Sequence, residues 1–172
     1  MMREKPMPHA KRETVDLSGY PNLVIIYLGM RVNVFRGIKT ILGFGPKIDA
    51  AVRAKPDGLL LHESVFFSLR HFGMRQYWRD YESLEAWSRS EPHRQWWTSF
   101  LRNRGGTGFW HEMYSRQAGV ECVYVDMDAP VGMARFAPVI PARGPMFSAR
   151  KRAGMGGEAQ DPGAVSEADL YR

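Results

Sequence analysis

Residue types alternate in the first apolar segment of the chain. Between positions 23 and 35 the even positions are all aliphatic: Val24, Ile26, Leu28, Met30, Val32 and Val34. The odd positions include Tyr27, Arg31 and Asn33. A period of two places successive side chains on opposite faces of a strand. The segment therefore predicts a strand whose aliphatic face lies beneath helices, while the other face carries Tyr27, Arg31 and Asn33.

The rest of the apolar pattern predicts two helical regions and four more strands. Apolar residues from 38 to 52 follow helical spacing, and Gly43, Gly45 and Pro46 within them predict a kink or a helix in two parts. Strands are expected at 59–69, 74–79, 108–114 and 120–127. Asp80 suits the N-cap of a helix, and Pro92 suits the first turn of the next one.

This order predicts an α+β fold of the ferredoxin-like β-α-β-β-α-β type with an extra C-terminal strand. Helices then cover one face of the sheet, and we expect a second copy of the chain to cover the other, sheet on sheet, with a pocket between sheet and partner. Residues 1–19 are polar and predict a flexible arm. Residues 20–140 form the expected domain, and the Gly-, Ala- and Arg-rich residues 141–172 predict a flexible tail.

Composition and charge narrow the function classes. The chain has 172 residues, 44% hydrophobic and 24% charged, which is typical of one globular domain. Its apolar runs are too short for a membrane span, and no secretory signal is expected at the N-terminus. The net charge of +6 is spread along the chain, so nucleic-acid binding is not expected. The single cysteine, Cys122, fits a reducing cytoplasm.

Four segments carry a resemblance to a known family: YLGMRVN at 27–33, QYWR at 76–79, EPH at 91–93 and FWHEMY at 109–114. Together they resemble the small family first described as a domain of unknown function and later named after a monooxygenase of fumagillin biosynthesis. That family is similar to the antibiotic-biosynthesis monooxygenases, which are dimeric α+β barrels. The resemblance implies a homodimer with a hydrophobic pocket in each subunit and oxygenase chemistry on an aromatic or polyketide-like substrate.

The resemblance leaves the cofactor open. One subgroup of the broader superfamily degrades haem and needs a His one helical stretch after a pocket Trp. When Trp87 is matched to that Trp, the His position falls on Trp97, and His93 lies one turn earlier. This departure argues against haem degradation, although haem held in another way stays open as an alternative. No nucleotide-binding fingerprint is present, so the expectation is an enzyme without a cofactor.

Two His-Glu dipeptides, His62-Glu63 and His111-Glu112, fall at corresponding places in two predicted strands. Alternation allows only one member of each dipeptide to face a pocket, and neither matches a zinc pattern. His111 is our candidate general base; a structural, hydrogen-bonded His is the other interpretation.

The remaining candidates follow from the same strands. Arg31 and Asn33 could hold an anionic oxygen of the substrate, or form a salt bridge and an exposed amide instead. The candidate substrate-binding residues are Tyr27, Trp78, His62 and Trp110. We therefore predict a small monooxygenase-like enzyme for a hydrophobic substrate; the alternatives are a non-catalytic module that binds haem or another apolar ligand, and a purely structural dimer.

Overall fold

A computed structural model describes residues 19–117, 119–130, 134 and 139–152. Its elements are β1 Val24–Val32, α1 Gly37–Arg53, β2 Leu59–Ser68, β3 His71–Trp78, α2 Tyr81–Arg89, α3 His93–Arg102, β4 Thr107–Ser115, β5 Gly119–Val125, a 3-10 turn Gly144–Phe147 and α4 Ala149–Arg152. Most of the predicted N-terminal arm, and the tail after position 152, lie outside the described residues. Among the helices described, none is both long and apolar enough to cross a bilayer.

The five strands form one antiparallel sheet in the order β2-β3-β1-β4-β5. This confirms the predicted α+β class and the ferredoxin-like order with an extra strand at the β4 edge. The register at the centre of the sheet aligns Leu28 of β1 with Met74 of β3 and His111 of β4. Side chains at these three positions therefore share one face of the sheet.

The aliphatic face of β1 lies beneath the helices, as predicted. Val24, Ile26 and Trp78 are buried there, and Met113 packs with them, together with Tyr81 and Leu84 of α2. Asp80 begins α2 as its N-cap, with its Oδ1 accepting a 2.8 Å hydrogen bond from the Ser83 amide. A cap of this kind contributes about 1 kcal/mol. The tight core thus lies under α2, at the Val24 end of β1.

Helix α1 packs much more loosely. It is one continuous helix that includes Pro46, so of the predicted kink or two-part helix the two-part helix is wrong. Within α1 only Gly37 is buried, and the backbone there is so close to Gly106 that a side chain would strike its carbonyl. A 2.9 Å hydrogen bond from Thr40 Oγ1 to the Gly105 carbonyl adds to this attachment. The helix is therefore fixed to the sheet mainly at its N-terminal end.

The segment 142–152, which we name the strap, packs on the helix side of the sheet. Arg150 forms an ion pair with Glu85 of α2, and Arg152 forms one with Glu121 of β5. The prediction of a flexible tail from position 141 did not include this packing. Composition could not show it, because the acidic partners lie 65 and 31 positions earlier in the chain.

Candidate functional site

A cavity of about 2000 Å³ lies between the inner face of the sheet, the helices α1 to α3 and the strap. Leu28, Met30 and Met74 belong to its floor, and Trp96 and Trp97 of α3 to the opposite wall. This cavity is built within one chain on the helix side of the sheet, so it differs from the predicted pocket between sheet and partner subunit, which stays a prediction. The cavity lies on this side because α1 stands away from the aliphatic floor instead of packing onto it.

His111 faces this cavity from the middle of β4. Its Nε2 lies 2.5 Å from Oε1 of Glu121 on β5. Glu121 is buried and, when ionised, can only accept, so the His111 Nε2–H donates and the Nδ1 of the neutral ring keeps its lone pair. A carboxylate that fixes the tautomer and supports the imidazolium is the arrangement found behind many general bases.

A second contact holds the Glu121 carboxylate in its charged form. Arg152 Nε donates to Glu121 Oε2 over 2.9 Å. Burial alone would raise the pKa of Glu121, but His111, through its hydrogen bond and its charge when protonated, and the charge and hydrogen bond of Arg152 outweigh burial and hold the pKa below its usual value. The carboxylate is therefore ionised at neutral pH and available to stabilise a proton on His111.

A chain of hydrogen bonds fixes the tautomer of His62 at the other end of the cavity. The Trp78 indole N–H can only donate, and Gln76 Oε1 accepts it at 3.1 Å. The Gln76 amide nitrogen therefore points to His62 Nδ1, 3.1 Å away, and donates to it. Burial lowers the pKa of His62, so its ring is neutral and carries its proton on Nε2. His62 is thus a hydrogen-bond donor on the cavity wall.

His93, at the start of α3, is the third cavity histidine. Its Nδ1 lies 2.8 Å from the Ser88 carbonyl and donates to it. The ring packs 4.5 Å from Trp87 and 6.3 Å from Trp96, measured between ring centroids. Burial, followed by the nearby His111, lowers the pKa of His93 although the Ser88 carbonyl opposes the shift. The neutral ring therefore keeps its lone pair on Nε2.

The structure separates the other predicted site residues from His111. Arg31 aligns with His71 and Gly108, on the face opposite Leu28 and His111. There it pairs with Asp128, and Asn33 Nδ2, just after β1, donates to the Asp126 carbonyl. The prediction that Arg31 and Asn33 share the face of His111 is therefore wrong. The alternation along β1 was predicted correctly, but His111 lies on the same face of the sheet as the aliphatic even positions of β1.

Tyr27 and Trp110 also lie on the outer face. Tyr27 accepts a 2.9 Å hydrogen bond from Arg75, and Trp110 is buried with its Nε1 donating to His71 Nε2 at 2.7 Å. Trp78 is on the inner face but belongs to the core, where it is 0% exposed. Burial of Trp78 and Trp110 speaks against a role as pocket walls, while the predicted role of Tyr27 in a pocket against a partner subunit stays a prediction. Of the seven predicted site residues, the structure brings His62 and His111 to the cavity wall.

Sequence reasoning missed Glu121, Arg152 and Gln76. Glu121 had a usable signal, since it is the charged residue of an otherwise largely apolar strand, VECVYV. Gln76 had a weaker one, as a polar residue at an inner-face position of β3. Arg152 had none, because its partner is fixed only by the tertiary fold. Within the described part of the chain, no group of three or more His, Cys, Asp or Glu residues is placed to hold a metal ion.

Comparisons with known proteins give a family and several structural likenesses. The profile of a family described as "Monooxygenase af470-like" matches residues 23–133. No curated protein matches the chain. The solved structures similar to it include aldoxime dehydratase OxdRE in complex with butyraldoxime, 26% identical with a TM-score of 0.47, covering 57% of this chain and 28% of that one.

Two further solved structures resemble the chain with similar TM-scores. A second aldoxime dehydratase is 20% identical with a TM-score of 0.46, over 70% of this chain and 36% of that one. The cofactor-independent oxygenase SnoaB from Streptomyces nogalater is 12% identical with a TM-score of 0.40, over 53% of this chain and 90% of that one. The chain thus spans about a third or less of the aldoxime dehydratases that it matches.

Proposed function

Because the chain belongs to the Monooxygenase af470-like family, we propose that it is a small monooxygenase that oxidises a hydrophobic, aromatic or polyketide-like molecule in the cavity between sheet and helices. The observation that carries the proposal is the His111–Glu121 pair on the wall of a cavity that has an aliphatic floor and tryptophans on the opposite wall. A base in such a place suits a substrate whose own carbanion reduces oxygen. The protein then supplies the base and an apolar floor for the substrate.

The reaction can be written with this chain's own groups. Nδ1 of His111 takes a proton from an acidic carbon of the substrate, and Glu121 stabilises the imidazolium. The carbanion transfers its electrons to O2 and forms a peroxide on that carbon, which His111 protonates. Loss of water from the hydroperoxide leaves a carbonyl group. One O2 is consumed, one oxygen atom enters the product, and the other leaves as water.

The position of His62 favours an extended substrate. His62 aligns with Gln76, Ile26 and Met113, and His111 aligns with Leu28, so three strand spacings, about 14 Å, separate the two backbones. His62 therefore does not serve the reacting carbon. Its Nε2–H is placed to bind an oxygen at the far end of a molecule of several fused rings.

Anthrone tests the proposal, because it is a three-ring carbon acid with an oxygen opposite the acidic carbon. We expect the protein to accelerate conversion of anthrone and O2 to anthraquinone and water, followed by an oxygen electrode and by absorbance. The His111→Gln variant is the matched control, since it keeps a donor for Glu121 but has no base. Rates for wild type that do not exceed those of this variant would overturn the proposed function.

Haem binding is a second candidate, favoured by His93. A metal-ligating His usually donates its other ring N–H to a carbonyl or carboxylate, and His93 makes that bond with Ser88. The neutral Nε2 of His93, the neighbouring tryptophans and the cavity volume would suit a flat macrocycle held by His93. Bound haem would supply redox chemistry at iron; His93 would hold it and His111 would face the same cavity.

Titration with hemin separates this candidate from the first. A Soret band that shifts on binding would support haem binding. The affinity for hemin should then fall at least about tenfold in His93→Ala and stay unchanged in His62→Gln. Equal binding by wild type and His93→Ala would exclude His93 as the ligand.

We also propose that the protein is a homodimer through the outer face of the sheet. That face exposes Leu61, Phe67 and Tyr114 among the described residues, and exposed apolar side chains on a sheet face favour association with a partner. Light scattering after gel filtration is expected to give twice the 19.7 kDa chain mass. A monomer at micromolar concentration would contradict this assembly.

A further inference from the structure

Glu121 links the strap to the candidate base, His111. Glu121 has a 2% exposed side chain and uses both oxygens, Oε1 towards His111 and Oε2 towards Arg152. Arg152 in turn donates from Nη1 to the carbonyls of Met146 and Phe147, at 2.9 and 2.8 Å. One guanidinium therefore fixes the fold of the strap and the position of the carboxylate together.

The other anchor of the strap does not touch the base. Arg150 binds both oxygens of Glu85 and lies over the Tyr81 ring, 5.2 Å from its centroid. The 3-10 turn and α4 have no buried residue of their own, so the two arginine pairs are the main attachments within the described strap. The strap also lines the cavity. Its docking therefore closes the wall beside His111.

We propose that Arg152 is a positioning residue, whose contact with Glu121 holds that carboxylate in the orientation that fixes the tautomer of His111. The proposal rests on the proposed function for the role of His111, but the geometry it describes is present without substrate. A buried carboxylate with one partner removed is free to rotate or to take up a proton. Without Arg152 the Glu121 carboxylate would no longer hold Nδ1 of His111 as the lone-pair nitrogen.

The test compares Arg152→Gln with Arg150→Gln, which removes the other anchor and leaves Glu121 untouched. We expect either substitution to weaken the attachment of the strap, measured as faster chymotrypsin cleavage after Phe147, while Arg150→Gln leaves the Arg152–Glu121 contact in place. The two variants should differ in the tautomer of the His111 ring. Ring ¹⁵N NMR of the protein alone should show one Nε2–H tautomer in wild type and Arg150→Gln, a mixture in Arg152→Gln, and recovery of one tautomer in Arg152→Lys.

Kinetics with anthrone give the second readout. Arg152→Gln should lower kcat by at least about tenfold with KM changed less than twofold, whereas Arg150→Gln should keep kcat. A single unchanged tautomer in Arg152→Gln would overturn the positioning role and leave Arg152 as an anchor of the strap. If wild type does not oxidise anthrone, the proposed function fails, while the tautomer measurement still decides the role of Arg152.

Discussion

Replacing His111 with Gln is expected to lower turnover by about 100-fold to 10,000-fold, the usual effect of removing a general base. The protein should still fold and melt close to wild type, because the Gln amide can donate to Glu121 and Arg152 keeps the carboxylate paired. His111→Ala should show the same loss of turnover. Steady-state oxygen consumption and thermal melting of the same samples measure both effects.

His71→Ala is the matched control on the other face of the sheet. Its Nε2 accepts the Trp110 indole N–H in a buried position, so removing it leaves a donor unsatisfied at a cost of about 1 to 3 kcal/mol. We expect this variant to lose stability and keep its turnover. If His111→Gln instead loses stability while its folded fraction stays fully active, His111 is a structural residue and the site assignment is wrong.

Trp78→Ala is expected to lower the free energy of unfolding by about 3 to 5 kcal/mol, as large deletions in a packed core do. The Trp78 side chain is fully buried and packs against Trp87 at a centroid distance of 5.5 Å and against the cluster around Val24. Its loss also frees the Gln76 amide that orients His62. Urea unfolding followed by circular dichroism measures the change.

Trp97→Ala is the comparison, since this ring lies on the cavity wall against Phe109 and is only half-buried. We expect a smaller loss of stability there and a clear loss of affinity for anthrone. Equal destabilisation by the two substitutions would contradict the division between a tight core under α2 and an open cavity under α3.

Much of the fold follows from local pattern. The period-two segments place each strand within about three residues of its observed ends, and the aliphatic even positions of β1 identify the face under the helices. Asp80 was recognisable as a cap because capping depends on residues only three apart. Pro46 misled the prediction, since α1 is anchored by Gly37 and Thr40 at one end and continues past the proline.

The site was predictable only in part. His111 could be named from its strand, and alternation correctly separated it from Glu112, whose carboxylate binds Tyr114 and Tyr124 on the outer face. The contact of His111 with Glu121 depends on which strand pairs with β4, and the contact of Glu121 with Arg152 depends on where the strap packs. The location of the cavity depends on a distance between α1 and the sheet, and hydrophobic periodicity carries no information about that distance.

The loose attachment of α1 has a consequence for how binding would be detected. A helix with one buried residue gains little protection from the sheet, so its amides open with a low local free energy. A ligand that fills the cavity contacts the apolar side of α1 and stabilises the closed state by RT ln(1 + [L]/Kd). Slowed deuterium uptake in α1, with little change in β1, therefore reports occupancy for any apolar ligand before its chemistry is known.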